Sequence, residues 1–432
     1  MAADRPRVTV LEGMTIEQTP KVAGAAFQGQ RVCVLRGHEG ALRFDDEMLS
    51  RHVLFLGGIG TGKTNAMTQL LAALRSNATA DDVFIVFDTK GDFLDRFYAD
   101  DDAVISADPG GRGGRVWNLF SDVAGLNQTA RTELIYEIAS TIFSADLARA
   151  GQNFFFAAAA RDVFAGVADA LVRSGEPVSN ADLAASLDKS SDDIADLLLG
   201  HDDLAGTARY LENERTAEGV LSFLQQALNT SFSGVFRGAG TFSVRGFVRD
   251  KGRRALFVEY DIARGSSLLP AYRVLIDMAI KEALNIGRRR RPGNVYFIFD
   301  EFTLLPSLQH VADGINFGRG LGLKFVVATQ NVSQVLASYG EAAGRSILSG
   351  FGTVFGFRMM DNDSRDLIRQ RYGTNRKQII LFAAVRSEGV QQIPVLGHVI
   401  EDWDLSGLAV GQCIVSLPEG PPFLFPFAEA QS

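Results

Sequence analysis

"LFLGGIGTGKTNAM" (Leu54–Met67) sets a glycine-rich loop between an apolar run and a helical pattern. Its centre, Gly57, Gly58, Ile59, Gly60, Thr61, Gly62, Lys63 and Thr64, fits G-x-x-x-x-G-K-[ST]. The pattern has a physical cause. A phosphate chain must be wrapped by backbone N–H groups, and a Cβ at the glycines would block that approach. The amino end of the following helix adds positive potential. Lys63 stands where a lysine reaches the β- and γ-phosphates, and Thr64 where a hydroxyl ligates Mg²⁺. The expected ligands are ATP and Mg²⁺.

Outward from the loop, short apolar runs recur: Val53–Leu56, Val83–Asp88, Ala255–Asp261, Val295–Asp300, Lys324–Thr329, Thr353–Phe357 and Cys413–Leu417. They are β-branched or aromatic on both faces, as buried strands of a parallel sheet are. Helical patterns lie between many of them; in "NAMTQLLAALR" the apolar Ala66, Met67, Leu70, Leu71 and Leu74 form one stripe. The alternation predicts a doubly wound α/β domain with a mostly parallel twisted sheet and its phosphate site at the carboxyl ends of the strands.

The alternation stops between about Leu126 and Thr230, where "RTELIYEIASTIF", "NFFFAAAARDVFAGVADALV", "SNADLAASL" (Ser179 or Asn180 as N-cap) and "TAEGVLSFLQQAL" all read as helix. The expected organisation is an ATPase domain in two parts, 1–125 and 236–417, an inserted all-α domain at 126–235, and an extended, Phe-packed tail at 418–432. The segment Asn153–Val172 is broken by Arg161, Asp162 and Asp169, so it reads as a buried amphipathic helix and not a membrane span. The amino terminus carries no apolar signal core. The two cysteines, Cys33 and Cys413, lie in apolar runs and read as buried, reduced thiols; no Cys/His cluster suggests a metal. A net charge of −8 argues against a protein that coats nucleic acid, but is compatible with a basic groove or pore on an acidic body.

"VYFIFDEF" supplies the second half of a hydrolytic site. A strand ending in Asp300-Glu301 would place Asp300 on the metal, through water, and Glu301 on the attacking water. "KFVVATQN" ends in Gln330, an amide that can bond the γ-phosphate or the water; its strand is expected between the P-loop strand and the Asp-Glu strand, as in additional-strand ATPases and unlike small GTPases. "FDTKGDF" puts Asp88, Lys90 and Asp92 after the second strand, either near the phosphates or as a charged turn. "GRRRRPGN" (Gly287–Asn294) reads as a solvated loop, with a DNA-backbone contact as the alternative. Arg319, Arg345 and Arg358 are candidates for an arginine that reaches a neighbouring subunit's γ-phosphate, against the reading of each as a surface charge or salt bridge. His52 reads as packed or capping.

"RHVLFLGGIGTGKT", "FDTKGDF", "RVWNLFSD" (Arg115–Asp122), "VYFIFDEF" and the stretch from Gly318 to Arg358 follow in order. Together they resemble the type IV secretion coupling ATPases of the TraD/TrwB kind, within the hexameric DNA-pumping ATPases that include the HerA and FtsK types. The likeness runs from about His52 to Gly373. It implies a RecA-like P-loop ATPase core with an inserted all-α domain, a six-membered ring with nucleotide between neighbours, DNA in a central channel, and the helical insertion facing incoming DNA and protein substrate. It carries Gly57–Thr64, Asp300, Glu301 and Gln330 onto the family's nucleotide site and makes Arg345, in "SYGEAAGRSILS", the first candidate for the trans-acting arginine. Family members usually begin with a membrane anchor; none is read here, so the expected location is the cytoplasm, with membrane attachment only through a partner. The leading expectation is an ATP-dependent DNA translocase of the conjugative kind. The alternatives are a nucleotide-switched docking protein for a relaxase-like or nuclease partner, and a HerA-like translocase outside secretion.

Overall fold

The computed structural model describes residues 7–24, 32–108, 110–230, 232–261, 265–288, 293–382 and 390–430. The chain falls into two compact units: Met1–Thr79 with Tyr296–Ser307 and Ala312–Ser432, and Ala80–Val295 with Leu308–Val311. Among the described residues each unit carries mostly parallel strands of an α/β core, numbered here β1 Val53–Leu56, β2 Val83–Asp88, β3 Ala103–Ile105, β4 Ala255–Glu259, β5 Val295–Phe299, β6 Leu323–Thr329, β7 Thr353–Gly356, β8 Gln412–Ser416 and β9 Phe423–Pro426. The fold is that of a RecA-like α/β core.

In the first unit the strand order is β9-β8-β7-β1-β6-β5. β1 is buried throughout and pairs in parallel with β6 (Leu56 opposite Thr329) and β7 (Leu56 opposite Gly356), so the three carboxyl ends are level. β6 lies between β1 and β5, the extra strand expected from the Gln330 segment. Two expectations change at the other edge. β8, expected as a parallel strand, runs antiparallel to β7, and part of the expected tail is β9, paired antiparallel with β8. The connection between β8 and β9 is short; it permits a hairpin and not a crossover. Phe425 and Phe427 pack edge-on, and Phe427 stacks on Phe357, which binds this edge to the strand beside the P-loop. Two small sheets went unread in the sequence. One joins Arg7–Glu12 to the hairpin Thr374–Phe382/Val390–His398, and the other holds Val22–Gly24, Cys33–Arg36 and Ala41–Phe44. Cys33 and Cys413 are buried free thiols, and burial pushes both up.

In the second unit β2, β4 and β3 pair in parallel, in that order. Between Leu119 and Asp250 every described element is helical. Those the sequence marked are α2 Gln128–Ile142, α3 Phe154–Arg173, α4 Asn180–Leu187 and α5 Glu214–Thr230, the first of the helices numbered here being α1 Lys63–Asn77 of the first unit. α4 begins with a capping box between Ser179 and Asp182. α3 buries Val163, Phe164 and Val167 and pairs its buried Asp169 with Arg131 and Arg173. Among the described residues no helix is long and apolar enough to cross a membrane. The arginine run lies outside the described residues except for the backbone of Arg288, which ends the helix Gly265–Arg288.

Candidate active site

The loop leaves β1 at Leu56 and enters α1 at Lys63. Gly62 is the N-cap, in the left-handed region (φ 106°), and a Cβ there would lie 2.9 Å from the backbone of Gly411. Conformation and space both require glycine. A Cβ on Gly57 would meet the Phe357 Cβ at 2.6 Å. The loop is anchored on both sides: the Gly57 N–H donates to the Thr329 carbonyl (3.3 Å), the Gly58 N–H to Arg358 (3.0 Å) and the Gly411 N–H to Thr61 (2.9 Å). Thr61 also donates its hydroxyl to the Gly58 carbonyl at 2.8 Å. Ile59 is 78% exposed and Thr64 is exposed. Lys63 folds back onto the loop, its Nζ donating to the carbonyls of Gly57 (2.5 Å) and Gly58 (2.9 Å). α1 has no acidic residue in its first turn and no side-chain cap, so its amino end presents amides to an anion.

Asp300 and Glu301 follow β5, and Gln330 follows β6. Gln330 donates its amide to Glu301 at 2.9 Å, and Thr303 donates its hydroxyl to the other carboxylate oxygen at 2.6 Å. Glu301 is 9% exposed and Asp300 half-buried. Thr329, whose carbonyl receives the Gly57 N–H, is the neighbour of Gln330, so a short chain of contacts links the phosphate loop to Glu301. Thr303 escaped the sequence reading; its place two residues after the Asp-Glu pair, in the turn Phe302–Leu304, was the available signal. Among the described residues no group of three or more His, Cys, Asp or Glu side chains could hold a metal ion. A Mg²⁺ here fits the other pattern, in which phosphates and waters fill most positions and the protein adds a hydroxyl and a carboxylate. Thr64 and Asp300 are the residues of that type that could hold one.

The three arginines occupy different places. Arg345 lies on α6, Glu341–Ser349, is 63% exposed and pairs with Glu341 one turn away at 2.5 Å. Arg319 precedes β6, roughly 20 Å of strand from its carboxyl end, and pairs with Glu47. Arg358 follows β7, and its carbonyl holds Gly58 of its own loop. His52 is packed: Phe325 N–H donates to Nδ1 (3.1 Å), Nε2 meets the Ile315 carbonyl (3.0 Å), and burial lowers its pKa to about 4.

The remaining motif residues serve the second unit's own fold. Asp88 is buried and accepts from the backbone N–H groups of Lys90, Gly91, Phe93 and Leu94. Burial raises its pKa while the amides pull it down. For Asp88, of the two readings of "FDTKGDF", the charged turn is the one the bonds describe. In "RVWNLFSD", Trp117 donates its indole N–H to buried Asp122 at 2.6 Å, and Ser243 and the Arg245 N–H bond the other oxygen, each at 2.7 Å. Asn118 caps Leu119–Val123.

An α/β sheet with an extra strand between a P-loop strand and an Asp-Glu strand defines the additional-strand, RecA-like class of P-loop proteins. The family model for the type IV secretion-system coupling protein DNA-binding domain matches residues 38–393, and the chain belongs to that family. Among solved structures it is similar to the plasmid coupling protein TrwB in complex with the non-hydrolysable ATP analogue ADPNP, with a TM-score of 0.74 and 18% identity over 100% of this chain and 96% of that one. TrwB in complex with ADP and Mg²⁺ gives 0.72 and 19% over 94% and 90%. VirB4 of Thermoanaerobacter pseudethanolicus gives 0.62 and 14% over 94% and 98%. At these identities the likeness is one of fold. No curated protein sequence matches significantly.

Proposed function

We propose that the protein is an ATP-dependent DNA translocase of the conjugative coupling kind, hydrolysing ATP at the interfaces of a homo-hexamer. The observation that supports the catalytic part is the chain of contacts from Gly57 through Thr329 and Gln330 to Glu301, which joins the glycine loop to the Glu301 carboxylate. TrwB's complexes with an ATP analogue and with ADP and Mg²⁺, on the same fold, support ATP and Mg²⁺ as the ligands. Family membership supports DNA as the polymer handled.

In this reading the Gly57–Gly62 amides wrap the phosphates. Lys63 turns from the loop carbonyls to the β- and γ-oxygens, and Thr64 with Asp300 holds Mg²⁺. Glu301, released from Gln330, polarises the attacking water, while Gln330 turns to the γ-phosphate. Arg345 is the proposed trans-acting arginine. Its exposed helical ion pair with Glu341 is worth only about 0.3–0.5 kcal/mol, so a phosphate of higher charge displaces it readily. Residues 1–125 and 236–417, closed at one edge by β9, would form the ATPase domain, and 126–235 the all-α insertion that meets DNA and a relaxase or secretion-channel partner. The protein would work in the cytoplasm, where a partner could bring it to the membrane.

The test is ATPase rate against single- and double-stranded DNA over a range of protein concentrations, with native mass measured alongside. Activity should rise with both, and Lys63→Ala should abolish it. A rate flat across both titrations would remove the motor.

A further inference from the structure

Residues after the second edge strand of the first unit approach the start of α1 in a way the phosphate chemistry does not require. Asn65, the third residue of α1, is bonded to backbone on both sides of its amide: Nδ2 donates to the Ala428 carbonyl (2.9 Å), and the Ala430 N–H donates to Oδ1 (2.7 Å). Gln69, one turn on, donates to the same Ala428 carbonyl at 2.6 Å. Phe427 N–H donates to Gly411, whose own N–H holds the loop at Thr61, both at 2.9 Å. Val410 precedes Gly411 in the turn closed by Gln412 N–H to Ala409 (3.1 Å) and is 65% exposed. Glu429 is exposed between the two bonded alanines.

The direction of a bound nucleotide gives this arrangement a use. Lys63 and Glu301 mark the γ end of the phosphate chain, and the first-turn amides of α1 mark the α end. The nucleoside therefore leaves the loop past Asn65, where the C-terminal segment is tied down. We propose that Phe427–Ala430 and the Val410 turn form the nucleoside wall of the site, with Val410 the apolar contact of the base and the Glu429 carboxylate the acceptor for the ribose hydroxyls. This rests on the loop being a nucleotide site and adds the part that distinguishes a nucleotide from a bare polyphosphate. An apolar face and an acceptor-only carboxylate suit a ribonucleoside: the ring is flat and apolar, and its sugar hydroxyls donate.

Binding of ATP, 2′,3′-dideoxy-ATP and inorganic tripolyphosphate to the full chain, at protein concentrations below any self-association, tests the wall. Val410→Ser, which removes the apolar contact without adding charge, should weaken ATP about fivefold and leave tripolyphosphate unchanged. Glu429→Ala should weaken ATP roughly threefold and leave dideoxy-ATP unchanged. Equal weakening of ATP and tripolyphosphate by Val410→Ser, or unchanged ATP binding with lowered self-association, would overturn it; the second result would make Val410 a subunit contact. Wild-type protein that binds neither ATP nor tripolyphosphate would instead remove the nucleotide site itself, and the wall with it.

Discussion

Two turns of this molecule have the same local plan. In the first unit a strand ends at Leu56 and a helix begins after Gly62 in the left-handed region; in the second a strand ends at Asp88 and a helix begins after Gly91 (φ 77°). They differ in where the anion comes from. At the second turn the chain supplies its own: the Asp88 carboxylate takes four backbone amides, the place a phosphate would occupy. At the first there is no acid, only Lys63 folded onto loop carbonyls and an exposed Thr64. A glycine turn before a helix is thus an anion cradle in both places, and the side chain that fills it decides whether the cradle serves the fold or a ligand.

The sharpest way to break this comparison is at the first cradle. Glu301→Gln should cut ATP hydrolysis by about 10²–10⁴-fold and leave ATP bound, because glutamine keeps the shape between Thr303 and Gln330 without a basic oxygen. Fold stability should change by less than about 0.5 kcal/mol, measured by denaturant unfolding beside the single-turnover rate. An unimpaired variant would take Glu301 out of the mechanism and leave the cradle a binding site only.

The second cradle should answer in stability and not in a lost ligand. Asp88→Ala orphans four amides in a buried turn and should cost about 3 kcal/mol, read as a lowered denaturant midpoint. Millimolar phosphate or sulfate should restore part of that loss in the variant and add nothing to the wild type at this turn. If anions give no recovery, the likeness between the turns stops at the backbone.

Much of this was legible in sequence because it is local. A P-loop is eight consecutive residues, and the Asp-Glu pair and Gln330 sit at ends of apolar runs whose period marks them as buried strands. The helical stretch was legible for the same reason. What could not be read depends on contacts far apart in the chain. The tie of Asn65 to Ala428 and Ala430 spans most of the sequence, and the antiparallel edge β8–β9 resembles any other apolar run until its partner is known. Asp88 shows a third limit. An acid after a strand has the same letters whether it faces a phosphate or its own backbone, and only the bonds separate the two.

Histidines give the smallest effect, and they separate the units by sign. His52, in the first unit, is buried neutral with its pKa lowered to about 4. Its contribution to stability is present above the unfolded value near 6.5 and is lost as pH falls from there toward 4, amounting to about 2 kcal/mol by pH 5. In the second unit the Glu137 carboxylate, 2.5 Å from Nε2, raises His310 above its ordinary value. That contribution is full below about 6.5 and is lost as pH rises through the folded pKa. Asp277, raised to about 6 by burial, acts in the same direction as His310: an ionised carboxylate is the form its site disfavours. From pH 7.5 to 5 the first unit should therefore loosen while the second tightens. Hydrogen exchange should report faster opening of β1 and β6 amides and slower opening of α2 amides around Glu137 over that range, and His52→Gln should flatten only the first response. Parallel movement of both units would mean that the imidazoles do not govern them.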